Sequence, residues 1–154
     1  MLLQEGGDAM NLKVLSLLAL VVLVACLAWL AFGHSLVGTG PVTWTVQGAA
    51  VLLMLWARMT FGARSFHAAA NPTEGGLVTS GPYRYLRHPI YAAVLYFAWA
   101  GIAAHLSMGS VMAGLVLSMA SAVRIFSEES LLVRQYPEYA AYSRRTARVI
   151  PFAV

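Results

Sequence analysis

The segment Leu77-Val78-Thr79-Ser80-Gly81-Pro82-Tyr83-Arg84-Tyr85-Leu86-Arg87-His88-Pro89-Ile90-Tyr91 places two arginines, one histidine and three tyrosines at the start of an apolar run. Arginine and tyrosine both favour a headgroup layer, so an interfacial anchor is one reading. A binding site is the other. Pro89 suits the first turn of a helix, and a helix start offers unpaired N–H groups and a positive dipole end that favour a carboxylate. A second polar group, Arg124, Glu128 and Glu129, follows a later apolar run. Arg124 and Glu128 stand four apart and share one helix face. As a solvated pair they would contribute a few tenths of a kcal/mol. At the edge of hydrocarbon, charged groups are costly and more often functional.

These residues need elements to hold them. The apolar runs 14–32, 42–59, 90–106 and 108–126 are each close to the ~20 residues a membrane-crossing helix needs, so the sequence predicts an all-α bundle of about four spans in one membrane domain, 1–154. Only a short turn around Ser107 joins the last two runs, which predicts an antiparallel hairpin. Such a hairpin brings its inner ends to one depth, so His88 and Tyr91 should meet Arg124 and Glu128. Asn71-Pro72-Thr73-Glu74-Gly75-Gly76 is a turn-rich break before the first polar group.

Basic residues decide the orientation. Lys13 precedes the first span; Arg58, Arg64, Arg84 and Arg87 fall between the second and third; Arg124, Arg134, Arg144, Arg145 and Arg148 end the fourth or follow it. The connections 33–41 and 106–107 hold no Lys or Arg. Since basic residues stay on the cytoplasmic side, both termini are expected there, in a multi-pass protein of a bacterial inner membrane. Trp29, Trp44, Trp56 and Trp99 lie towards span ends and read as interface anchors. Arg134, Arg144, Arg145 and Arg148 read as contacts to anionic headgroups.

Composition narrows the function classes. Of 154 residues 60% are hydrophobic and 10% charged, which suits a membrane protein rather than a soluble domain. The formal charge of +4 is spread between apolar runs and makes no basic stripe, so nucleic acid is not an expected partner. Cys26 is the only cysteine, which excludes an internal disulfide and a Cys-based zinc site. Leu23-Val24-Ala25-Cys26 is similar to a lipoprotein cleavage site, although the apolar run continues past it and is long enough to span. His34 and His105 fall in outer connections, and without paired spacing such as His-x3-His no metal site is expected.

Taken in order, Leu77-Val78-Thr79-Ser80-Gly81-Pro82-Tyr83, Arg87-His88-Pro89-Ile90-Tyr91, Arg124-x3-Glu128-Glu129, Tyr139-x2-Tyr142 and Ile150-Pro151 closely resemble the isoprenylcysteine carboxyl methyltransferase family, which is related to the phospholipid N-methyltransferases. The resemblance covers residues 66–152; the first two spans match only as generic membrane helices. It implies a membrane-embedded methyltransferase that binds S-adenosylmethionine in a cytoplasmic pocket formed by the last two spans and the C-terminal segment. The absence of Gly-x-Gly-x-x-Gly agrees. By motif position the cofactor contacts fall on Leu77, Val78, Tyr83, His88, Pro89, Ile90, Tyr91 and Glu128. Arg124 takes the place of a substrate-orienting arginine, and Glu129 and His88 are candidate bases for an amine acceptor. His67 is a further candidate for the pocket by position. Tyr136-Pro137-Glu138-Tyr139 departs from the family's pattern, which leaves the C-terminal lid open to a different register.

The resemblance implies a lipophilic small-molecule or lipidated acceptor entering from the membrane lipids, most simply a carboxylate. An alternative is a reductase resembling the steroid-reductase relatives and using NADPH. Those relatives tend to carry an acidic residue just after the motif tyrosine, whereas Tyr91 is followed by Ala92-Ala93-Val94. A non-catalytic adaptor would use Gly109-x3-Ala113 and Gly114-x3-Ser118 as helix-packing faces.

Overall fold

In a computed structural model, which describes residues 2–62 and 76–151 with side chains from residue 10 onward, the apolar runs become helices. They are α1 (Leu2–Phe32), α2 (Pro41–Phe61), α3 (Pro89–Ala104), α4 (Met108–Gln135) and the short α5 (Tyr139–Ser143). A helix satisfies its own backbone groups, which is what a segment in hydrocarbon requires. Three helices are long and apolar enough to cross a membrane: Met10–Phe32, Pro41–Phe61 and Met108–Gln135. The remaining long helix, α3, has 16 residues. At 1.5 Å per residue it reaches about 24 Å, less than a full hydrocarbon core. The expected third span, 90–106, is therefore a helix shorter than a full crossing, and α4 continues nine residues beyond the expected limit of 126. Pro89 sits in the first turn of α3, as its missing N–H favours.

α1 packs mainly on α4, and α2 on α3, while α3 and α4 form the expected hairpin with a lighter contact. Ser107 makes that turn sharp. Its hydroxyl accepts from Ser110 N, and Ser110 Oγ accepts from Ser107 N, each at 3.0 Å, which caps α4. The core between α1, α3 and α4 holds Leu23, Leu30, Ala98, Ile102, Leu117 and Ala120. Cys26 lies within the unbroken α1 and packs against this core.

Small residues let the elements close. A Cβ on Gly101 would collide with the carbonyl of Leu36, so the connection between α1 and α2 runs directly over α3. Gly109 faces Trp29, and Gly114 faces Ile102 and Trp99, so both small-residue spacings pack against this chain's own helices. Trp99 departs from the expected interface anchor. It is half-buried and its Nε1 donates to Ser118 Oγ at 3.1 Å, because its position on α3 turns it towards α4. Trp29, Trp44 and Trp56 are exposed at the helix surface. Gln47, buried in α2, donates to Leu36 O and Phe97 O at 2.8 and 3.1 Å and ties the connection between α1 and α2 to α3.

At the opposite end Gly81–Arg84 forms a 3-10 turn, and residues 144–151 fold back over it as a strap. Leu86 and Ala147 make a parallel bridge. Arg87 N and His88 N donate to Ala147 O and Arg148 O at 2.7 and 3.0 Å.

Candidate functional site

Arg124 is the hub. Only 4% of it is exposed, yet it is charged and lies within α4, well before the end of that helix at Gln135. Such a group is tolerated when its donors are used. Nε donates to Tyr91 OH at 2.6 Å, Nη1 to Ser16 O at 2.9 Å, and Nη2 to Glu128 Oε1 at 3.2 Å. Tyr91 OH donates in turn to Glu128 Oε1 at 2.5 Å. Helices α1, α3 and α4 thus meet on one guanidinium, and Glu128 is fixed by a phenol and an arginine.

Glu129, the next residue, turns to a second set of partners. Arg87 Nε lies 3.2 Å and His88 Nε2 3.4 Å from its Oε1, and Arg148 Nε lies 3.1 Å from Oε2. His88 is buried between the two glutamates, with Nδ1 3.7 Å from Glu128 Oε2. The hairpin therefore brings His88, Tyr91, Arg124, Glu128 and Glu129 together. Both oxygens of Glu129 are engaged by cationic partners.

The rest of the motif builds one wall. Leu77 and Val78 are half-buried ahead of the 3-10 turn, Ile90 is half-buried, and Pro89 is enclosed. Tyr83 is buried, its ring 5.4 Å from that of Phe61 on α2. Gly81, at φ 57°, lies so close to Thr60 that a Cβ would strike its side chain. Tyr142 OH donates to Tyr83 O at 2.6 Å, and Arg87 Nη1 to Ser143 O at 2.6 Å, so α5 and the strap cover the turn. Burial, followed by the charge of Glu129, pushes the Tyr139 hydroxyl well above its ordinary value; burial pushes Tyr142 up to about 12. Both phenols stay neutral at physiological pH, and Tyr142 remains the donor to Tyr83 O.

Sequence reasoning missed several participants. Arg148, expected at headgroups, is paired with Glu129 because the strap brings it back over α4. Arg134, Arg144 and Arg145 are exposed. Ser16 on α1 was unmarked, since a lone serine in an apolar run has no spacing partner. His105 Nε2 meets Val37 O at 3.2 Å in the connection between α1 and α2, away from this cluster. His67 lies outside the described residues. Among the described residues no group of three or more His, Cys, Asp or Glu is placed to hold a metal ion.

A separate apolar crevice of about 230 Å³ lies between α1, α2 and α3, lined by residues including Leu27, Met54, Val94 and Phe97. Its α3 wall begins at Ala93, two residues after Tyr91.

Comparison with known proteins decides the family, because the model of the phospholipid methyltransferases matches residues 39–139, well over half of the chain. The chain belongs to the phospholipid methyltransferase family. The isoprenylcysteine carboxyl methyltransferase-like motifs are of this family, and membership points to methyl transfer at a membrane. The chain is 35% identical over 136 residues to the cobalt-zinc-cadmium resistance protein CzcN of Cupriavidus metallidurans, covering 85% of this chain and 61% of that one. It is 31% identical over 125 residues to the nickel-cobalt-cadmium resistance protein NccN of Alcaligenes xylosoxydans xylosoxydans, covering 80% and 52%. It thus spans between half and two thirds of the length of these curated relatives. No solved structure matches.

Proposed function

We propose that the chain transfers a methyl group from S-adenosylmethionine to a lipophilic acceptor, most simply a carboxylate as in isoprenylcysteine. The observation that carries this reading is the convergence of His88, Tyr91, Arg124 and Glu128 at one depth, from two helices and in the family's motif order. The donor set fits the cofactor. Glu128 offers a carboxylate to hydroxyl or amino groups, while Leu77, Val78, Tyr83, Pro89 and Ile90 offer apolar surface and backbone. When bound, the cofactor supplies an electrophilic methyl on a sulfonium.

The protein's own part is alignment and exclusion of water, which suffices for an in-line displacement by a carboxylate. Arg124 holds Glu128 and Tyr91 in place and gives the acceptor's charged end a cation to face. With both oxygens engaged by cations, Glu129 serves to join the motif to the strap rather than to take a proton. The crevice between α1, α2 and α3 suits the acceptor's hydrocarbon tail. Both termini then face the cytoplasm, where the cofactor is supplied.

Thermal unfolding of detergent-solubilised protein tests the reading, since a ligand that binds only the folded state raises the melting temperature. S-adenosylhomocysteine is expected to stabilise the protein. If NADPH does so and S-adenosylhomocysteine does not, the chain is a reductase instead.

A further inference from the structure

Six hydroxyls in the long helices share one habit, while Ser110 bonds within the cap of α4. Thr45, Thr60, Ser118, Ser121, Ser127 and Ser130 each donate to the carbonyl four residues earlier, at 2.8–2.9 Å. This is the usual refuge for a hydroxyl in an apolar setting. Ser16 breaks the habit. It is fully enclosed, and its Oγ has no hydrogen-bond partner, although its own carbonyl accepts from Arg124 Nη1 at 2.9 Å. A buried hydroxyl left unpaired is destabilising, and one kept in a native structure needs an explanation. The family's shared machinery does not supply it, because α1 lies outside the matched residues 39–139.

We propose that Ser16 binds the polar end of the acceptor, with Oγ donating to a carboxylate oxygen beside the Arg124 guanidinium. This rests on the methyltransferase reading and deepens it by naming a residue of α1, outside the shared motifs, that would recognise the acceptor. Charge selects the carboxylate over an amine. The cluster holds three arginines, Arg87, Arg124 and Arg148, against two glutamates, so an ammonium group would meet excess positive charge. A carboxylate also requires no proton removal, in keeping with a site whose glutamates are both held by cations. Helix α1 is then the element that tells acceptors apart, while α3 and α4 hold the parts common to the family.

The test uses the full chain in detergent, with Ser16→Ala and, as a control, Ser121→Ala, which removes a hydroxyl already bonded to Leu117 O. The probes are S-adenosylhomocysteine, dodecanoate below its micelle concentration, and dodecylamine. Without probe, Ser16→Ala is expected to melt above wild type by a few degrees and Ser121→Ala at or below it. Dodecanoate should stabilise wild type, and its affinity should fall about tenfold in Ser16→Ala with S-adenosylhomocysteine binding unchanged. The proposal is overturned if Ser16→Ala melts at or below wild type, if dodecanoate binds neither protein or both alike, or if dodecylamine is the better ligand. Failure of S-adenosylhomocysteine to stabilise any of the proteins would instead remove the methyltransferase reading, and the unliganded melting and dodecanoate results would still decide the role of Ser16.

Discussion

Three nitrogens of Arg124 are spent on three neighbours, Tyr91, Ser16 and Glu128, and only a planar fork can reach them together. Arg124→Lys should therefore destabilise the fold by about 1–3 kcal/mol, as equilibrium unfolding in detergent would show, because at least one buried acceptor loses its donor. Glu128→Ala should act differently. Its carboxylate is partly exposed and proposed to hold the cofactor, so S-adenosylhomocysteine affinity should fall roughly 10- to 100-fold by calorimetric titration. Wild-type affinity in that variant would remove Glu128 from the cofactor site. These residues were legible in the sequence because Tyr91 lies inside a dense motif and Arg124 and Glu128 stand one helical turn apart. Ser16 and Gln47 were not, because a single polar residue in an apolar run acquires meaning only from the element that packs against it.

The helices were legible as apolar runs, but their lengths and pairing were not. The apolar pattern runs on to Leu106 and could not show that α3 stops at Ala104, three residues past the crossing of Leu36 over Gly101. Gly101→Ala should push the Leu36 carbonyl away and destabilise by about 1–3 kcal/mol, with a lowered melting temperature and intact S-adenosylhomocysteine binding, since the inner end is untouched. A C-terminal lid was implied by the resemblance, but the register of the strap was not legible, because its backbone bonds to Arg87 and His88 leave no side-chain pattern. The phenols of α5 make a pH test. Tyr142 is neutral in the fold up to about pH 12 but ionises near 10 when unfolded. Its contribution to stability is thus full below pH 10 and is lost as pH rises from 10 through 12. Tyr142→Phe should flatten that alkaline fall in melting temperature.

At the scale of the molecule, the proposed topology puts all ten basic residues on one side of the bilayer. In a Cys26→Ala background, Val37→Cys, in the exposed outer connection, should react with an impermeant thiol reagent added to whole cells. Arg145→Cys should react only after lysis. The opposite pattern would invert the topology and move the cluster to the other face.

The strap bears on how the protein comes into being. Ala147 O and Arg148 O receive the amides of Arg87 and His88, and Arg148 closes the second side of Glu129. These residues follow all four long helices in chain order. Under the proposed function, a nascent chain arrested before Tyr139 would hold those helices and still lack the wall that closes the site, so the last part to be made is the part that completes it.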